Sequence, residues 1–265
     1  MLAGLDELAV NELGSVIRGT ATPGGKTVFV FPGQGAQWLG MGVELLDTAP
    51  VFAQQIEACA DAFAEFVDWS LTDILRDLPG TSSLDRVDVV QPVLFAVMVS
   101  LAELRKSVGV RPDAVIGHSQ GEIAATYVAG ALSLRDAAKV VTLRSKLLTS
   151  LAGSGGMVDV ACGVQRAREL LASFGKRISI AAVNGRSAVV VSGEITALKA
   201  LIQLCADQDL RTRRIDVDYP SHSVEVETIR SDTGRCTGWY RAEALAYRLL
   251  LEGNWISFEH RRFKC

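Results

Sequence analysis

The sequence predicts an α/β protein of two lobes, a larger one built from strand–turn–helix units and a smaller inserted one of order β-α-β-β-α-β. Three observations carry that prediction. Short apolar runs feed directly into glycine-centred turns at "TVFVFPGQGAQ" and "AVIGHSQGEIAA", the grammar of α/β sheets with sites at the carboxyl ends of strands. Beyond Met157 the punctuation changes to strand, helix, two strands, helix and strand, the split βαβ order. The chain has 265 residues, 49% of them hydrophobic, enough for one large domain or two linked lobes with a real core.

Taken in order, residues 1–26 end in "GTATPGGK", a Gly/Thr/Pro stretch that breaks them from the first buried strand. Helical patterns follow over 51–66 and 91–108, the second apolar on most of its surface, as in a helix packed on both sides. "RPDAVIG" reads as a short central strand and "GEIAATYVAGAL" as the helix leaving it. In the small lobe, "MVDVAC", "RISIAAVN", "SAVVVSG" and "RTRRIDVD" are the strands, and "VQRARELLASF" and "EITALKALIQLCADQ" the helices. The large lobe is thus expected over 27–150 and 219–230, with the small lobe over 151–218. Residues 231–265 differ in character: they hold two of the four tryptophans, two of the five cysteines, a basic end and one helical pattern over 240–251.

Composition excludes several classes. With 27 basic and 30 acidic side chains the formal charge is -3, which gives no electrostatic footprint for nucleic acid. No apolar run is expected to approach the ~20 residues of a membrane span. The five cysteines are scattered singly, with no CxxC pair, which fits reduced thiols in a cytoplasmic protein. The N-terminal stretch has no apolar core behind a basic start and makes a poor secretory signal.

The chemistry centres on Gly117-His118-Ser119-Gln120-Gly121, which fits the G-x-S-x-G nucleophile elbow and has the strand before and helix after that the elbow requires. The alternative is an ordinary loop serine. A serine nucleophile needs a base, and histidine is the usual one. The chain has three: His118 is adjacent to the serine and badly aimed, His260 lies in the tail, and His222 in "DYPSHS" is the best placed. A surface loop histidine is the competing reading of His222.

Along "SLRDAAKVVTLRSKLL", Ala137, Val141, Arg144 and Leu148 share one helical stripe, so Arg144 lies on an apolar face. Two readings stay open. Arg144 either snorkels or pairs with a protein carboxylate such as Glu122, or it grips a substrate carboxylate with its planar fork.

Together these residues resemble the malonyl-type acyltransferases, namely the acyltransferase domains of polyketide synthases and their stand-alone relatives in fatty-acid synthesis. "TVFVFPGQGAQWLGMG" matches the family's opening strand and loop, "VIGHSQGEIAA" its elbow and "LRSKLL" its arginine helix; "AAVNGRSAVVVSG" and "DYPSHS" match its small lobe and histidine segment. The resemblance implies an α/β-hydrolase-like large lobe with a ferredoxin-like small lobe. It implies that Ser119 attacks an acyl-CoA thioester while His222 removes its proton, with the oxyanion between the Gln120 amide and the loop at Gln34. Arg144 is then the partner of the extender carboxylate, and Gln91, His118, Asn184, Tyr219 and Ser221 shape the pocket. The acyl group would pass to the phosphopantetheine thiol of an acyl carrier protein, with no metal or redox cofactor. A serine hydrolase acting on thioesters or esters is the alternative enzyme.

Two further expectations follow from the resemblance. Methylmalonyl-selective members carry Tyr-Ala-Ser-His around the histidine and malonyl-selective ones His-Ala-Phe-His. Here the segment is Tyr219-Pro220-Ser221-His222, which, with "RVDVVQP" and Gln120, points to methylmalonyl-CoA despite the departure at Pro220. Residues 1–26 resemble the linker from an upstream ketosynthase domain, whereas 231–265 are expected not to follow the family. A cloned fragment, a frameshifted gene, a divergent tail and an inactive synthase remnant are the open accounts of that tail.

Overall fold

The computed structural model describes residues 24–215, 217–222 and 258–259. The segments 1–23 and 231–257, with their linker and helix expectations, lie outside the described residues. In the large lobe, strands β1 (Val28–Phe31) and β2 (Ala114–Gly117) pair in parallel, Val28 opposite Ala114 and Phe31 opposite Gly117. Strand β7 (Phe258–Glu259) lies antiparallel on the other side of β2. Around this sheet lie helices α1 (Val43–Thr48), α2 (Pro50–Phe63), α3 (Leu71–Leu75), α4 (Val87–Ser107), α5 (Gly121–Val128) and α6 (Leu134–Leu148). They enclose one core, in which Phe52, Phe63, Phe95 and Ile123 are fully buried.

The small lobe has the predicted order: β3 (Gly156–Val160), α7 (Val164–Leu171), β4 (Ile178–Gly185), β5 (Ala188–Gly193), α8 (Ile195–Ala206) and β6 (Thr212–Ile215). Its strands are arranged β4-β5-β3-β6, every neighbour antiparallel. The alternating pattern on β3 turns Val158 and Val160 into a second core with Val189, Val191, Leu198 and Leu201, as a sheet covered on one face requires.

Three expectations need correction. Helix α4 begins at Val87 rather than at 91: Pro92 resembles a first-turn proline, but the chain is already helical one turn earlier, with Arg86 as N-cap. Helix α5 stops at Val128 rather than 132. Gly130 takes φ +78°, its N–H donates to Tyr127 O, and the Ala131 N–H donates to Thr126 O, the paired bonds of a Schellman stop. Finally, α4 is long and apolar enough to cross a membrane, with a mean hydropathy of 1.8 over its best window. Most of that window is buried within the protein, so α4 is the central core helix of this lobe.

Candidate active site

The turn between β2 and α5 forces Ser119 into view. Ser119 sits at φ +53°, in the left-handed region where a side chain other than glycine is strained. The flanking glycines are dictated by contact: a Cβ on Gly117 would lie 2.2 Å from the Glu122 Cα, and one on Gly121 2.2 Å from the Phe31 carbonyl oxygen. The helix therefore crosses the strand at a distance only glycine permits. The backbone N–H of His118 donates to Phe31 O at 2.9 Å and ties the elbow to β1.

Across the turn, His222 Nε2 lies 3.0 Å from Ser119 Oγ. His222 also has a positive φ, +57°. The structure thus joins residues 103 positions apart, and the histidine is not a stray loop residue. Its imidazole is pushed down to about 4, first by desolvation, then by the charges of Arg144 and His118. At neutral pH the ring is uncharged and able to accept a proton.

Behind the dyad runs a buried chain of hydrogen bonds. Arg144 Nη1 donates to Gln91 Oε1 at 2.6 Å. The Gln91 amide donates to the Tyr219 hydroxyl at 3.1 Å and to Gln34 Oε1 at 3.2 Å, and the Tyr219 hydroxyl donates to the same Gln34 oxygen at 3.1 Å. Burial raises the Tyr219 phenol, opposed by Arg144 and by the Gln91 bond, so the hydroxyl keeps its proton. Arg144 is only 4% exposed, on the stripe with Ala137, Val141 and Leu148 that the sequence predicts. Burial disfavours its charge, while Tyr219 and Glu122 oppose that effect through space. Among the described residues no ion pair includes Arg144, and its Nε has no acceptor. The pairing with Glu122 that the sequence left open is not made as an ion pair.

The other expected site residues fall into two groups. Gln34, Gln91 and Tyr219 are joined by the hydrogen bonds just described, and His118, Gln120 and Ser221 are the chain neighbours of Ser119 and His222. The backbone N–H groups of Gln34 and Gln120 have no backbone acceptor among the described residues. Ser221 is buried, its N–H bonded to Tyr219 O. Asn184 stands apart, exposed near the β4–β5 turn, and takes no part in the buried network. What sequence reasoning missed is the hub role of Gln91 and the orphaned Gln120 amide, whose Oε1 and Nε2 are both buried without a partner. The signal for Gln91 was a lone amide amid the apolar "VVQPVLF" run; Gln120 was marked by its place after Ser119, but nothing in the sequence showed that its amide would be buried without a partner. Among the described residues no cluster of metal-ligating side chains occurs.

The model of the acyl transferase domain family matches residues 28–246. The chain is 78% identical over 231 residues to the mycoketide-CoA synthase of Mycobacterium tuberculosis, covering 87% of this chain and 6% of that protein. It is 56% identical over 238 residues to an erythronolide synthase of Saccharopolyspora erythraea, covering 89% of this chain and 7% of that one. The acyltransferase domain from module 8 of the salinomycin polyketide synthase superposes with a TM-score of 0.82 at 55% identity, covering 88% of this chain and 55% of the solved chain.

Proposed function

The chain belongs to the acyl transferase domain family of polyketide synthases, and on that premise we propose that it moves a methylmalonyl or malonyl extender unit from CoA to an acyl carrier protein through an acyl-serine. The observation that carries the reading is the 3.0 Å contact between Ser119 Oγ and His222 Nε2. His222, neutral at working pH, takes the Ser119 proton as Oγ bonds to the thioester carbon; the oxyanion is held by the amides of Gln34 and Gln120. CoA leaves with the proton from His222. The phosphopantetheine thiol of the carrier protein then attacks the acyl-serine by the same steps in reverse.

Arg144, buried and without a counter-ion among the described residues, is suited to the free carboxylate of the extender. Tyr219, Ser221 and Gln120 favour methylmalonyl over malonyl, because the small serine leaves room for an α-methyl group. One methyl is worth only about 1–3 kcal/mol of discrimination, so malonyl loads as a minor substrate. The partners in this reading are the carrier protein and a neighbouring ketosynthase domain. The setting is the cytoplasm, in keeping with free thiols at Cys59, Cys162 and Cys205.

The test is a transfer assay with labelled methylmalonyl-CoA, unlabelled malonyl-CoA as competitor and a phosphopantetheinylated carrier protein. Label is expected on the carrier thiol, in excess over malonyl. Label released to water at the same rate with and without the carrier would make the chain a hydrolase.

A further inference from the structure

His222 is held in a conformation that a residue with a side chain does not take unaided. Its φ of +57° lies in the left-handed region, and such strain persists only where the surroundings fix it. Among the described residues, three holds act on the segment just before it. Gly153, in the loop leading into β3, donates its N–H to Asp218 O at 2.7 Å. The Tyr219 hydroxyl takes a hydrogen bond from Gln91 and gives one to Gln34.

The third hold is Pro220, which is buried and acts twice. It is the central residue of a three-residue turn, in which the Ser221 N–H donates to Tyr219 O at 3.0 Å. Its ring also rests on bare backbone. A Cβ added to Gly155 would lie 2.7 Å from Pro220 Cβ and 2.9 Å from Pro220 Cγ, well inside the roughly 3.5–4.0 Å at which carbons pack. Gly155 immediately precedes β3, so the turn that carries the base is seated on the entry to the small lobe.

We propose that Pro220 is a positioning residue of the dyad: by locking this turn and seating it on Gly155, it sets the His222 ring where it can take the Ser119 proton. The role rests on reading Ser119 and His222 as the reacting pair and deepens that reading.

The physical cause is the backbone freedom that proline removes. A turn closed over three residues has two forms, and the inverse one takes a central φ of about −75°. Proline is fixed at about −65°, so only the inverse form is open here. The residue before a proline is confined to extended backbone as well, which restricts Tyr219. With both residues restricted, the chain reaches His222 in one direction, and Nε2 stands 3.0 Å from Ser119 Oγ. Alanine at 220 keeps the Cβ that touches Gly155 but frees φ, as in the Tyr-Ala-Ser-His segment that this one otherwise resembles. Glycine gives up both the contact and the lock. A ring displaced by about 1 Å receives the proton poorly, and misplacement of that size costs about 100-fold in rate.

The test compares the full chain with Pro220→Ala and Pro220→Gly by two readouts. One is labelling of Ser119 by a fluorophosphonate probe, which needs nucleophile and base but no acyl pocket. The other is single-turnover acylation by methylmalonyl-CoA. Both saturating rates are expected to fall about threefold in Pro220→Ala and about thirtyfold in Pro220→Gly, with the half-saturation concentration of methylmalonyl-CoA unchanged. Thermal melts establish that each variant is folded at the assay temperature, and Pro220→Ala alone decides if Pro220→Gly is not. Unchanged rates in the folded variants overturn the role of Pro220 and leave the dyad standing. A loss seen only with methylmalonyl-CoA, as a raised half-saturation concentration, assigns Pro220 to acyl binding and overturns its role as well. Probe labelling of the unaltered chain that is indifferent to His222→Ala overturns the dyad reading and this role with it.

Discussion

Gln91 is the residue on which the site's geometry turns, because one amide accepts from Arg144 and donates to both Tyr219 and Gln34. Gln91→Leu keeps the volume and strands the Arg144 fork, at an expected cost of about 1–3 kcal/mol; thermal melts read the loss, and KM for carboxylated acyl-CoA rises with it. Gln120 behaves in the opposite sense. Both its amide atoms are buried without partners among the described residues, so Gln120→Leu is expected to stabilise the free protein by about 1–3 kcal/mol in denaturant titrations while narrowing the proposed preference for methylmalonyl over malonyl. Ser119, His222 and Arg144 were legible in the sequence because each breaks a local rule: a serine between two glycines, a histidine where few exist, a cation on an apolar stripe. The bonds among Gln34, Gln91 and Tyr219 were not, since they join three separate segments and no spacing along the chain encodes a contact across 185 residues.

At the scale of elements, the elbow works because β1, β2 and α5 approach one another without side chains between them. Gly121→Ala would set a methyl against the carbonyl oxygens of Phe31 and Pro32, backbone atoms that cannot swing aside. The expected loss is about 3 kcal/mol or more, seen as a lowered Tm together with failed acylation. Strand and helix identities were readable from periodicity, and the small lobe's order came through intact. Boundaries slipped where packing extends an element past its pattern: the helix expected from 91 starts at Val87, where Val87, Val89 and Val90 are buried in the same core.

At the scale of the whole molecule, two features reach beyond the site. The unfolded chain protonates His222 near its ordinary value of 6.5, the folded chain only near 4. Between those values the unfolded state binds the extra proton, so stability falls as pH drops through that window. Melts from pH 7 to 4 should show this slope, and His222→Gln should flatten it. The second feature is β1, an edge strand of the described sheet with Val28 and Val30 exposed at 45% and 62%. It borders an apolar cavity of about 470 Å³ with Trp38, Met98 and Leu101, and the four residues of the strand carry no charge of the kind that blunts an edge. Val30→Lys is therefore expected to lower concentration-dependent self-association in light scattering.

The central claim, that Ser119 and His222 form the acyl-carrying dyad and Arg144 selects its cargo, meets its most direct test in mass spectrometry of the chain after brief exposure to methylmalonyl-CoA. One methylmalonyl group is expected, mapped to the peptide that holds Ser119. It should be lost in Ser119→Ala, strongly reduced in His222→Ala, and reduced far more for methylmalonyl-CoA than for acetyl-CoA in Arg144→Ala. An adduct on another residue, or one that survives Ser119→Ala, would contradict the account.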